Sequence, residues 1–150
     1  MSVKVQRLTA RDLPLYRKMM HLFGAAFEDM ARYTEHPPTD AYVTALLGKP
    51  DFFAFAACDG PDVIGALAGY QLVKFEQETS ELYIYDLAVV EAHRRQGVAT
   101  ALIASTQQLA SELGAEVIFV QADYVDPPAI ALYTKLGTRE EVLHFDIPPA

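Results

Sequence analysis

The chain has 150 residues, enough for one domain over 1–150, and 51% of them are apolar, so a substantial core can be buried. Twelve basic against twenty acidic residues leave a formal charge of −8, which argues against a nucleic-acid partner and suits a cationic one. Cys58 is the only cysteine, so no intrachain disulfide forms. His21, His36, His93 and His144 are scattered without metal-ligand spacing, so no metal is expected. The first twenty residues have no apolar signal core, and no apolar run is long enough to cross a bilayer. A cytoplasmic protein with no membrane partner is the expectation.

In chain order, Val3–Leu8 alternates and reads as a strand. Thr9 is placed to cap a helix whose apolar positions include Leu13, Tyr16, Met20, Phe23 and Phe27, stopped by His36-Pro37-Pro38. Thr39 caps a short helix, Asp40–Leu47, ended by Gly48 and Pro50. Phe52–Cys58 is an apolar strand, Asp59-Gly60 a turn, and Val63–Lys74 a second strand. A polar run, Glu76–Ser80, leads to the long strand Glu81–Val90. Gly97–Leu113 is helical with Gly114 as its C-terminal cap, and Val117–Ala122 is a strand of buried type. Pro127–Leu136 is a short helix closed by Gly137, and Thr138–Ile147 alternates as a final strand. The order predicts an α/β (α+β) fold, with a mixed, mostly antiparallel central sheet flanked by about four helices.

The densest signal is the run from strand to helix at Tyr83–Ile103. Its turn reads Arg-x-x-Gly-x-Ala from Arg94 to Ala99. The first N–H groups of a helix have no internal partner and attract an anion, and the small residues Gly97 and Ala99 let one approach the backbone. Arginine at a helix start opposes the helix dipole, so an anionic partner helps explain Arg94 and Arg95. A coenzyme A pyrophosphate fits this turn. The glycine pattern of dinucleotide folds and the Gly-Lys-Ser/Thr of P-loops are both missing.

That turn and the element order resemble the GNAT superfamily of acetyl-CoA-dependent N-acetyltransferases. A second segment, Asp126-Pro-Pro-Ala129-Ile-Ala-Leu132-Tyr133-Thr-Lys-Leu-Gly137, is similar to a stretch that often begins with Asn in that superfamily; Asp126 departs from it. Phe75-Glu-Gln, Ser80-Glu-Leu-Tyr-Ile-Tyr-Asp-Leu-Ala-Val, Val120-Gln-Ala-Asp-Tyr and Arg139-Glu-Glu-Val-Leu-His-Phe-Asp narrow the resemblance to aminoglycoside 3-N-acetyltransferases of the gentamicin-resistance type. The resemblance implies direct acetyl transfer in a ternary complex to the 3-amino group of a 2-deoxystreptamine ring, and a homodimer. It assigns the backbone of Leu87, Ala88 and Val89 to the pantetheine arm. Arg94, Arg95, Gly97, Val98, Ala99 and Thr100 fall around the pyrophosphate, with Asp126, Ala129 and Tyr133 as further coenzyme contacts.

The chemistry needs a bound ammonium, a lost proton, a stabilised oxyanion and a proton for the thiolate. Tyr133 is the candidate acid, since a phenol near pKa 10 is a sensible donor to a thiolate. Asp123 and Glu81 are candidate bases, with Tyr83 orienting water. Glu81, Tyr83 and Tyr85 share one strand face by the two-residue period, and Asp86 points the other way. Glu28, Asp29, Glu35, Glu140, Glu141 and Asp146 are candidate carboxylates for a polycation, and Tyr33, Tyr124, His36 and His144 could add hydrogen bonds or stacking. For any one of these substrate-side carboxylates a solvated surface face is the favoured reading, and for each candidate base the ordinary reading weighs about as much as the catalytic one. Two alternatives stay open: another small-amine or protein N-acetyltransferase, and a non-catalytic coenzyme-binding module.

Overall fold

Continuous apolar runs such as Phe52–Cys58 let both faces of one sheet be buried, and the fold follows from that. The computed structural model describes residues 2–150. It shows a mixed α/β fold on a five-stranded sheet in the order β1-β2-β3-β4-β5. Its strands are β1 (Val3–Arg7), β2 (Phe52–Asp59), β3 (Asp62–Val73), β4 (Ser80–Val89) and β5 (Val117–Val120). The helices are α1 (Leu13–Ala26), α2 (Asp40–Leu47), α3 (Val98–Leu113) and α4 (Pro127–Leu136), with a π-helical turn at Ala31–Glu35 and a 3-10 turn at Glu91–His93. The chain divides into two compact units, one running to Phe119 and the other covering Val120–Ala150.

In the first unit, β1 to β4 are joined antiparallel. The Glu116 N–H donates to the Ser80 carbonyl at 2.9 Å, and the Phe119 ring stacks on Tyr83 at 4.6 Å. Both pairs keep the same offset, so β5 runs parallel to β4 beside its first half. Six consecutive residues of β2, Phe52 to Ala57, are buried because both faces are covered. Phe52, Ala54 and Ala56 join Met19, Phe23, Val43, Ala66 and Ala88 in the core under α1 and α2. On the other face Val98 and Leu102 of α3 press on Gly65, where an added Cβ would lie 2.7 Å from Val98.

Four expectations change. Thr9 does not cap α1. Asp12 occupies the cap position, and its carboxylate accepts from the Thr9 N–H (2.7 Å) and hydroxyl (3.0 Å), closing the turn before the helix. The first helix ends at Ala26 rather than at the prolines. Glu28 then adopts a left-handed φ of 53°, and the Asp29 N–H donates to the Gly24 carbonyl at 2.9 Å. The strand expected to run to Ala122 stops at Val120. The strand expected at Thr138–Ile147 is not formed: residues 138–150 join no ladder, and Val142, Leu143, Phe145 and Ile147 are exposed. Alternation supplies strand tendency, but a strand forms only against a partner edge.

Candidate active site

β4 ends at Val89, the 3-10 turn follows, and two left-handed residues, Arg95 (φ 61°) and Gly97 (φ 81°), bend the chain into α3. Gly97 caps α3 without a side-chain acceptor. The first N–H groups of the 16-residue helix therefore face outward with no cap of their own. This is the arrangement a pyrophosphate needs. Val98 is buried, so it offers only its backbone; Ala99 is half-buried, and Thr100, Arg94 and Arg95 are exposed. Arg94 Nε donates to the Val89 carbonyl at 3.3 Å, tying the turn to the strand end. β5 starts opposite Ser80 and is four residues long, so it stops short of Leu87, Ala88 and Val89 and leaves their outer backbone edge open to an extended ligand.

The register of β3 and β4 corrects the expected face of Asp86. Ile84 lies opposite Gly69 and Asp86 opposite Ala68, so Tyr85 is an extra, bulged residue. The bulge resets the alternation. Tyr83 pairs with Tyr70, whose ring packs on Phe52 at 5.3 Å, and Ala68 and Ala88 sit in the same layer under α1. Asp86 therefore joins the face of Tyr83. The Tyr33 hydroxyl donates to Asp86 Oδ2 at 2.8 Å. The π-helical turn carries Tyr33, clamped by Phe23 (5.8 Å) and Phe27 (6.0 Å). Gly24 permits this approach, since a Cβ there would lie 2.7 Å from the Met30 sulfur and 3.4 Å from Tyr33 Cβ. Burial pushes the Asp86 carboxyl up, with the Tyr33 hydrogen bond partly opposing. Burial and the Asp86 carboxylate both raise the Tyr33 phenol. Asp86 was missed in the sequence because a strict two-residue period places it with Leu82 and Ile84; a carboxylate in that apolar phase was the available signal of a bulge.

Three other carboxylates expected on this unit, Glu81, Asp29 and Glu35, have local partners. Glu81 pairs with Lys74 at 3.4 Å, and Lys74 also reaches Glu116 (2.7 Å) and Glu76 (3.6 Å). The Glu116 hydrogen bond leads the causes that hold the Lys74 ammonium well above its usual range. Asp29 accepts from the Arg32 N–H at 3.3 Å, and Glu35 lies 3.9 Å from His36. Glu28 is exposed.

In the second unit, Asp126 caps α4 through the Ala129 N–H at 3.3 Å, so these two residues, expected to touch coenzyme, bond each other. Tyr133 lies half-buried on α4, and burial, aided by the Asp126 charge, pushes its phenol up to about 12. Asp123 is exposed and its carbonyl accepts from the Asp126 N–H. The Tyr124 hydroxyl donates to Glu141 at 2.8 Å, Arg139 pairs with the same carboxylate, and His144 pairs with Asp146 at 2.9 Å. The Tyr124 and Arg139 bonds lower the Glu141 pKa.

A strand with an open edge feeding a helix N-terminus is a general acyl-coenzyme geometry, and comparison with known proteins decides the family. Residues 16–138 match the profile of the acetyltransferase (GNAT) family. The chain belongs to the GNAT acetyltransferase family. GNAT acetyltransferases use acetyl-CoA, and the open edge at Leu87–Val89 and the uncapped start of α3 fit it. One solved relative is the aminoglycoside acetyltransferase HMB0005 from an uncultured soil metagenomic sample, at 53% identity over 100% of both chains with a TM-score of 0.98. Another is the aminoglycoside acetyltransferase meta-AAC0020 from such a sample, in complex with sisomicin, at 34% identity over 99% of this chain and 97% of that one with a TM-score of 0.91. An N-alpha-acetyltransferase of Sulfurisphaera tokodaii is 31% identical over 90 residues, covering 53% of this chain and 54% of that protein. The chain thus spans about half the length of that curated relative. No helix among the described residues is long and apolar enough to cross a membrane.

Proposed function

We propose that this GNAT protein transfers acetyl from acetyl-CoA directly to the 3-amino group of a 2-deoxystreptamine aminoglycoside such as gentamicin, and so confers resistance. The observation that carries the reading is the full-length likeness to an aminoglycoside acetyltransferase, 53% identical with a TM-score of 0.98. The sisomicin complex of meta-AAC0020 supports the same substrate class. Assignment to position 3 rests on the resemblance of Ser80–Val89, Val120–Tyr124 and Arg139–Asp146 to the 3-N-acetyltransferases.

Bound acetyl-CoA supplies the acetyl group and a thiolate leaving group. The chain's own residues hold and steer it. The first N–H groups of α3, with Arg94 and Arg95, neutralise the pyrophosphate, and the backbone of Leu87–Val89 pairs with the pantetheine arm. Tyr133, whose raised pKa keeps it protonated across the neutral range, donates the proton the thiolate needs. Asp123 and Glu81, with Tyr83 orienting water, are candidates for the opposite transfer, although Glu81 shares Lys74. Glu28, Asp29, Tyr33 and Glu35 of the first unit are candidate contacts to the drug, and so are Tyr124, Glu141, His144 and Asp146 of the second. A cytoplasmic homodimer completes the reading, the exposed Val142, Leu143, Phe145 and Ile147 giving a partner apolar surface to cover.

The test is thiol release from acetyl-CoA with gentamicin, compared with spermine, a peptide amine and no acceptor. Saturable release with gentamicin and acetyl mapped to the 3-amino group is expected. Release with another amine but not gentamicin discards the drug substrate and keeps the acetyltransferase. Coenzyme binding without release to any acceptor favours a non-catalytic module.

A further inference from the structure

β4 loses its neighbouring strand part-way along its length, and a pair of rings marks the place. Glu116 lies beside Ser80 and Phe119 beside Tyr83, and β5 ends one residue after Phe119. The Tyr83 and Phe119 rings lie 4.6 Å apart at 5°, an offset face-to-face stack that bridges the two strands just before they part. Both rings are half-buried, and neither belongs to the hydrophobic core under α1 and α2. Tyr85, the bulged residue, sets its ring edge-on to Tyr83 at 5.8 Å and extends the aromatic group along β4. A ligand whose phosphates sit at the Arg94–Ala99 turn, and whose arm follows Val89 and then Leu87, is directed along β4 toward this stack. From Leu87 to Tyr83 is about 10–13 Å of strand. An acetyl group ends well short of that distance, whereas an extended eight-carbon acyl chain reaches the rings.

We propose that the Tyr83–Phe119 stack sets the acyl length this chain accepts. It closes the gap between β4 and β5 ahead of the acyl group, so that acetyl fits and long acyl thioesters are excluded. Two rings in face-to-face contact leave no room between them. Forcing a chain in costs their packing on each other and displaces β5, which is held to β4 at its start by the Glu116–Ser80 hydrogen bond. Phe119 is the residue that isolates this role, since Tyr83 is also a candidate to orient water. The proposal rests on the pantetheine arm following Leu87–Val89 and not on which amine is accepted.

The test is calorimetric binding of acetyl-, butyryl- and octanoyl-CoA to wild type, Phe119→Ala and Phe119→Leu, with thermal unfolding of each variant. Wild type should bind octanoyl-CoA about tenfold or more weakly than acetyl-CoA, the discrimination a packed apolar pocket achieves. Phe119→Ala should bring octanoyl-CoA to within about threefold of acetyl-CoA, while acetyl-CoA affinity stays within about threefold of wild type. Phe119→Leu should fall between the two. Thiol release, with whichever amine is accepted, should follow the same order. A general loosening of β5 weakens all three thioesters together, and that result overturns the proposal. So does wild type binding the three alike, or Phe119→Ala keeping the wild-type preference. If Phe119→Ala fails to fold, Phe119→Leu decides on the same criteria. Silence of wild type with gentamicin removes the drug substrate and leaves the binding test intact; failure to bind acetyl-CoA overturns both.

Discussion

At the residue scale, the chemistry depends on which side chains are neutral and which are charged at working pH. Tyr133 retains its proton because burial and the Asp126 charge both oppose the phenolate. Tyr133→Phe removes that proton and little else, so kcat should fall about a hundredfold while acetyl-CoA affinity stays within a few-fold, measured by thiol release and calorimetry. Wild-type turnover in this variant removes Tyr133 from the mechanism. In the sequence, Tyr133 is singled out by the resemblance of its segment, Asp126–Gly137. Asp86 was not, because its face depends on the extra residue at Tyr85, and that bulge is set by how β3 and β4 align. Glu81 was legible as a carboxylate on the right strand, but its ion pair with Lys74 joins residues from β4 and the loop that precedes it.

At the element scale, the start of α3 carries the coenzyme argument. Gly97 sits at φ 81°, where a side chain is strained, yet an added Cβ would meet nothing within 4 Å. Gly97→Ala should therefore fold, at a cost of about 1–2 kcal/mol in urea denaturation, while relaxation of the turn weakens acetyl-CoA binding by calorimetry. Unchanged affinity would show that the turn does not position the coenzyme. The π-helical turn plays the corresponding part for Tyr33. Neither Gly24 nor Met30 announces it in the sequence, because the turn exists through their close approach.

For the whole molecule, five tyrosines, Tyr16, Tyr33, Tyr70, Tyr83 and Tyr133, have pKa values raised above 10.0, with burial the leading cause. A raised pKa means the folded state binds more protons than the unfolded state once the pH passes 10. The stability these phenols contribute is fully present below pH 10 and is lost as pH rises toward their folded values, near 12 for Tyr133. Thermal unfolding should accordingly be flat with respect to these groups below pH 10, and Tm should fall steeply between pH 10 and pH 12. Tyrosine ultraviolet titration should show phenolate appearing with unfolding rather than before it. A Tm independent of pH across that window would mean that the rings are not shielded.

The sequence by itself determined the α/β class, the order of the helices and of five strands, and the phosphate-type turn from Arg94 to Ala99. These are local properties, set by apolar period, glycine placement and caps within a few residues. Tertiary structure decided the rest. It left Thr138–Ile147 out of the sheet, since a strand needs a partner edge as well as alternation. It placed Asp86 against Tyr33, 53 positions apart in the chain. It also gave Glu81 to Lys74 and Asp126 to the α4 cap. Charge state, burial and pairing arise from neighbours distant in sequence, and those neighbours exist only once the sheet register and the helix packing are fixed.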